Sequence, residues 1–120
     1  MYASEPVGAM REFMRDKIKR EGIKNVRVLD GLVTEISFLD DTFDVVMYGH
    51  VVGDEYDREI AEMMRVCKNG GWLISCDGDE MRNDEQPSSK PAVDENGWEN
   101  VRCIDRFGQV KYNQRKQIVK

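Results

Sequence analysis

The side chains equipped for chemistry are few, and they sit at the ends of apolar runs. His50 is the only histidine among 120 residues, and its unperturbed pKa of about 6.5 suits proton transfer near neutrality. It follows Tyr48 and Gly49 at the end of the apolar run Phe43–Tyr48. In open parallel sheets, ligands gather at such carboxyl ends of strands. A lone histidine is as compatible with a structural or surface role. Cys67, Cys76 and Cys103 are far apart and form no CxxC pair, so neither a metal site nor a redox motif is indicated. They read as small apolar residues, half or fully buried. Glu5 stands just before Pro6 and a helical run, where its carboxylate complements the positive end of the helix dipole.

The elements that must position these groups follow from spacing. Met10, Phe13, Met14 and Ile18 recur at helical intervals between Val7 and Glu21, with Pro6 suited to the first turn and Gly22 to the stop. Asn25–Leu29 alternates and ends at Asp30-Gly31, as a short strand followed by a loop. Asp40-Asp41-Thr42 forms a turn into Phe43–Tyr48, a β-branched run predicted to be buried on both faces. Ile60, Met63, Met64 and Cys67 mark a second helix, with Asp54 or Asp57 as caps and Asn69-Gly70-Gly71 as the stop. Trp72–Cys76 reads as another buried strand. This alternation predicts an α/β fold with a mostly parallel sheet. Residues Gly78–Asn100 are polar, with Pro87 and Pro91, and predict a long mobile surface loop. Val101–Phe107 and Val110–Val119, separated by Gly108-Gln109, predict a terminal antiparallel hairpin.

Two stretches carry a resemblance. Asp30-Gly31-Leu32-Val33-Thr34-Glu35-Ile36-Ser37-Phe38-Leu39-Asp40-Asp41-Thr42-Phe43-Asp44-Val45-Val46 resembles the G-x-x-x-x-(L/I)-P-F-x-D-x-x-F-D-V-V motif of class I S-adenosylmethionine-dependent methyltransferases, and Arg65-Val66-Cys67-Lys68-Asn69-Gly70-Gly71-Trp72-Leu73-Ile74 resembles their R-V-L-K-P-G-G. The similarity runs from Met1 to about Asp79. It implies a Rossmann-like methyltransferase sheet over residues 1–120, taken as one partial domain, with methyl transfer as the activity and S-adenosylmethionine as the cofactor.

Residue by residue, the resemblance places Glu5 at the end of the family's second strand, where an acid receives the two ribose hydroxyls. An ionised carboxylate suits a vicinal diol, each hydrogen bond being worth on the order of 1.5–3 kcal/mol. Gly31, Leu32 and Val33 match the loop that passes the adenine ring. Leu32 departs from the pattern, standing where the family often has an acid that accepts from the adenine amino group. Tyr48 and Gly49 match the cofactor edge of the fourth strand. Asp44 reads as architectural, tying its strand to neighbouring backbone.

The family's first strand and glycine-rich loop precede the acid matched by Glu5 and have no counterpart in this sequence. The expectation is therefore of an incomplete enzyme, inactive by itself, or of a non-catalytic remnant serving as an interaction module. In the family the first strand lies between the second and the fourth. Leaving about five buried backbone groups unpaired would cost roughly 5–15 kcal/mol, as much as a domain's whole stability. Either Val26–Leu29 pairs directly with Phe43–Tyr48, or another chain fills the place by strand addition or swapping in a homo-oligomer.

A net charge of −5, from 18 basic and 23 acidic residues, gives no electrostatic reason to expect nucleic acid. No apolar run approaches the ~20 residues of a membrane span, and Met1–Gly8 lacks the pattern of a secretory signal. The expected setting is the cytoplasm, and the expected acceptor is a small molecule or another, unspecified group.

Overall fold

A computed structural model describes residues 1–49, 52–80, 96–104, 106–108 and 110–120. The backbone groups into two compact units, Met1–Ser37 and Phe38–Lys120.

The first unit is a strand, helix, strand motif. β1 (Tyr2–Ser4) runs parallel to β2 (Arg27–Leu29), with Ala3 opposite Val28 and Ser4 opposite Leu29. The ladder continues one step past β1, because the Glu5 amide donates to the Leu29 carbonyl at 3.0 Å. α1 (Gly8–Glu21) connects the strands and ends at Gly22, whose φ of 64° is the left-handed conformation that glycine adopts without penalty. Lys19 and Arg20 in its last turn complement the helix dipole. The predicted apolar stripe is present but only partly covered: α1 buries no residue fully, Met10 and Phe13 are exposed, and Met14 and Ile18 are half-buried. Val28 is the one buried hydrophobic residue of this unit.

The second unit is a mixed four-stranded sheet in the order β3-β4-β6-β5. β3 (Phe43–Tyr48) runs parallel to β4 (Cys67–Glu80), pairing Val45 with Trp72 and Val46 with Leu73. α2 (Tyr56–Val66) makes the crossover. β5 (Glu99–Ile104) and β6 (Val110–Gln117) form the predicted antiparallel hairpin, and β6 inserts between β5 and β4. The core gathers Met63 and Val66 of α2, Cys67 and Leu73 of β4, Trp98 and Ile118.

Several expectations need correction. α2 stops at Val66, and Cys67 is already extended, so the helix ends four residues before Gly70. Gly70, with φ of 80°, instead forms an irregularity at the start of β4, its amide donating to the Ile118 carbonyl. Neither Asp54 nor Asp57 caps α2; the N-cap position is Glu55, without a side-chain hydrogen bond. Asp57 and Glu59 lie in the first turn, where negative charge is favourable. β3 is not buried on both faces, since Val45 and Met47 are 48% and 61% exposed. As the edge strand of its sheet it has a neighbour on one side only. Asp44 does not tie the strand to backbone; it faces solvent and pairs with Lys68 Nζ at 3.3 Å. The direct pairing of Val26–Leu29 with Phe43–Tyr48 does not occur among the described ladders, in which β2 joins β1 and β3 joins β4. Most of the segment read as a mobile loop lies outside the described residues, and its ends, to Glu80 and from Glu99, are strand.

Candidate functional site

Parallel pairing carries the ends of β1 and β2 to the same edge, which brings two of the sequence-predicted segments together. Glu5 follows β1, and Gly31-Leu32-Val33 follows β2 one residue after Asp30. The approach is close enough that an ideal Cβ on Gly31 would fall 2.6 Å from Ser4 Oγ. Any larger residue there would have to displace the Ser4 hydroxyl, so glycine lets the loop backbone lie close beside the Glu5 segment. Leu32 is exposed, and Glu35 turns back on it, its amide donating to the Leu32 carbonyl at 3.2 Å.

Glu5 itself is half-buried, and its Oε1 accepts from the Val7 amide at 3.0 Å. This is the helix-start role: the carboxylate satisfies one of the amides that α1 leaves unpaired at its beginning. It also holds the carboxylate in a fixed direction. Each ionised carboxylate oxygen has two acceptor sites, so this contact is compatible with a further donor such as a ribose hydroxyl.

Sequence reasoning missed Arg11. Its Nη1 donates to the carbonyls of Glu5 and Pro6 at 3.0 and 2.7 Å and to Asp30 Oδ1 at 3.0 Å. One turn on, Arg15 Nη2 donates to the Val28 carbonyl at 3.1 Å. The only sequence signal was the pairing of opposite charges at Arg11 and Asp30, which spacing alone does not reveal.

In the second unit, Tyr48 and Gly49 stand at the carboxyl end of β3, both half-buried. His50 lies outside the described residues. The segment beyond is tethered from α2: Glu59, itself buried, accepts from the Gly53 amide through Oε2 at 2.8 Å. At the opposite end of β3, Arg65 grips the incoming loop. It donates to the Phe38 carbonyl at 2.9 Å and Asp40 Oδ1 at 2.8 Å, and it forms a two-point pair with Glu62 at 2.7 and 3.0 Å. These partners raise the pKa of an already permanent cation, so Arg65 serves as a fixed charge and has no acid–base role. Burial raises the Cys67 thiol pKa, which keeps it protonated and unreactive at neutral pH. Among the described residues there is no group of three or more His, Cys, Asp or Glu side chains that could hold a metal ion. Nor is any helix among them long and apolar enough to cross a membrane.

Each unit has a parallel strand, helix, strand arrangement of Rossmann-like α/β character, with an acid and a tight glycine loop at one edge in the first and an antiparallel hairpin extending β3-β4 in the second. A solved S-adenosylmethionine-dependent methyltransferase from Aquifex aeolicus superposes with a TM-score of 0.67 at 20% identity, over 98% of this chain and 68% of that one. At that identity the likeness speaks for the fold. The methyltransferase domain family matches residues 1–75, and the chain belongs to that family, the class I S-adenosylmethionine-dependent methyltransferases. It is 32% identical over 89 residues to a demethylmenaquinone methyltransferase of Listeria welshimeri, covering 72% of this chain and 33% of that protein. It is also 35% identical over 63 residues to a phosphatidylethanolamine N-methyltransferase of Cereibacter sphaeroides, covering 50% of this chain and 31% of that protein. The chain thus spans about a third of the length of the curated relatives it matches.

Proposed function

We propose that these residues form the nucleoside-binding part of a methyltransferase that acts on a small-molecule acceptor or on some other acceptor outside the nucleic acids and membranes, in the cytoplasm. The observation that carries the proposal is the juxtaposition of Glu5 with the Gly31 loop at the carboxyl edge of two parallel strands, with Gly31 packed close against the Ser4 side chain.

These groups suit one half of S-adenosylmethionine. The Glu5 carboxylate accepts from the ribose diol, oriented by its contact with the Val7 amide. Backbone and apolar surface of Gly31, Leu32 and Val33 pass the adenine ring, with Leu32 offering contact area in place of a polar acceptor. Tyr48, Gly49 and His50 are the candidates at the end of β3, His50 as the group that takes a proton from the acceptor. When bound, the cofactor supplies an electrophilic methyl on a sulfonium, and the protein contributes mainly position and dehydration. Among the described residues no glycine-rich turn links a strand to a helix in the way that would hold the methionine half. Turnover, in this proposal, needs polypeptide beyond these residues.

Calorimetric titration of the chain with S-adenosylhomocysteine tests the reading. Saturable binding in the micromolar to low millimolar range that is lost in Glu5→Ala supports it. Binding indifferent to Glu5→Ala contradicts the assigned role. A second reading, a non-catalytic interaction module, is favoured by the exposed Val45 and Met47 on an edge strand. It entails strand addition by another copy, and light scattering across a concentration series would show a dimer; a monomer at all concentrations counts against it.

A further inference from the structure

The two loops at the carboxyl edge of the first unit belong to strands whose sequences lie far apart, and one side chain spans them. Arg11 is largely buried, its side chain 19% exposed, whereas its partner Asp30 is 71% exposed. A single nitrogen, Nη1, serves the carbonyls of Glu5 and Pro6 on one loop and the Asp30 carboxylate on the other. That nitrogen carries two hydrogens for three acceptors, so the bonds are shared and the three acceptors are drawn together. Arg15, one turn along the same helix, reaches only the Val28 carbonyl within β2. Both arginines attach α1 to the strands. Arg11 alone touches the segments that carry Glu5 and Gly31.

We propose that Arg11 is a positioning residue that sets the spacing between the Glu5 loop and the Gly31–Val33 loop, and with it the affinity for a nucleoside ligand. The proposal rests on the cofactor reading above. Its physical basis is preorganisation. The first unit buries little apolar surface, so packing does not hold its loops, and a ligand that had to order them would bind more weakly. A guanidinium suits the task because its donors are rigidly arranged and its charge is permanent.

The test compares Arg11→Met with Arg15→Met, since each removes one attachment of α1 and only the first releases the loops. Affinity for S-adenosylhomocysteine is read by calorimetry, and loop order by hydrogen exchange of the Glu5 and Glu35 amides. Both amides are hydrogen-bonded, to Leu29 and Leu32. Arg11→Met should weaken binding about tenfold and speed exchange at both amides, whereas Arg15→Met should change affinity by less than about twofold. Asp30→Ala removes only the exposed end of the bridge, leaves the helix attached, and should reproduce a smaller part of the loss. Arg11→Lys should recover part of it. Equal effects of Arg11→Met and Arg15→Met on affinity and exchange would overturn the proposal, as would an Asp30→Ala chain indistinguishable from the wild type. Failure of the wild type to bind refutes the cofactor reading instead. In that case, faster exchange in Arg11→Met than in Arg15→Met still establishes the clamp, and identical exchange removes it.

Discussion

The two units of the chain are held together by different means. The second, Phe38–Lys120, has a core in which Met63, Val66, Cys67, Leu73 and Ile118 are nearly inaccessible. The first, Met1–Ser37, buries one hydrophobic residue, Val28, and relies on a parallel ladder and on arginine side chains bound to carbonyls of β2 and of the loop after β1. The assigned nucleoside-binding residues Glu5 and Gly31–Val33 lie in the unit with almost no core. The difference teaches that the shape of the proposed site comes from directional polar contacts, which are sensitive to single changes, while the bulk of the stability resides elsewhere.

The largest expected break in that contrast is Leu73→Ala. Truncating a fully buried leucine should lower stability by about 2–5 kcal/mol. Denaturation followed by tryptophan fluorescence reports the second unit alone, because Trp72 and Trp98 both lie there. Val28→Ala should leave that transition within about 0.5 kcal/mol of the wild type. A shift comparable to that of Leu73→Ala would mean that the units share their stability.

Gly71→Ala comes next. An added Cβ would meet the Asp44 carbonyl at 2.6 Å and the Cys67 sulfur and Lys68 carbonyl at 2.9 Å. Two of these three atoms are backbone, so the strand must shift, at a cost of about 1–3 kcal/mol in the same assay. Gly53→Ala, where a Cβ would meet nothing within 4 Å, is the control.

The smallest effect is a dependence on acidity at the hairpin. Glu99 lies opposite Arg115 and is bound by it at 2.8 and 3.2 Å, while the same guanidinium stacks on the Trp72 ring at 4.9 Å. The hydrogen bonds from Arg115 lower the Glu99 pKa. A folded-state pKa below the unfolded value means that this contribution is complete above about pH 4.3, the ordinary glutamate value. It is lost as the pH falls through the lower folded value. Glu99→Gln should flatten the acid limb of the melting temperature measured from pH 6 downward; an unchanged limb would show that the pair contributes nothing.

Local patterning made much of the second unit legible. The β-branched run at Phe43–Tyr48, the helix marked by Met63, and the hairpin around Gly108 all appear where spacing placed them, and β3 and β4 pair in parallel. What escaped were features decided by distant partners. Asn69-Gly70-Gly71 looked like a helix stop, yet the pairing of Gly70 and Gly71 with Ile118 draws the chain into a strand three residues earlier. The spacing of Met10, Phe13, Met14 and Ile18 was helical, but periodicity cannot say how far each is covered, and Met10 and Phe13 stay exposed. Arg11 and Arg65 were not foreseen because their carboxylate partners Asp30 and Asp40 lie 19 and 25 residues away. Of the proposed site, the type and order of Glu5 and Gly31 were readable. The close approach of Gly31 to the Ser4 side chain was not, since it depends on how Ser4 lies against the neighbouring strand.

The most direct measurement is a residue-resolved amide NMR titration of the chain with S-adenosylhomocysteine to millimolar concentration. The account predicts saturable shifts centred on Glu5, Val7 and Gly31–Val33, abolished by Glu5→Ala. Shifts confined to the hairpin, or none at these positions, would contradict it.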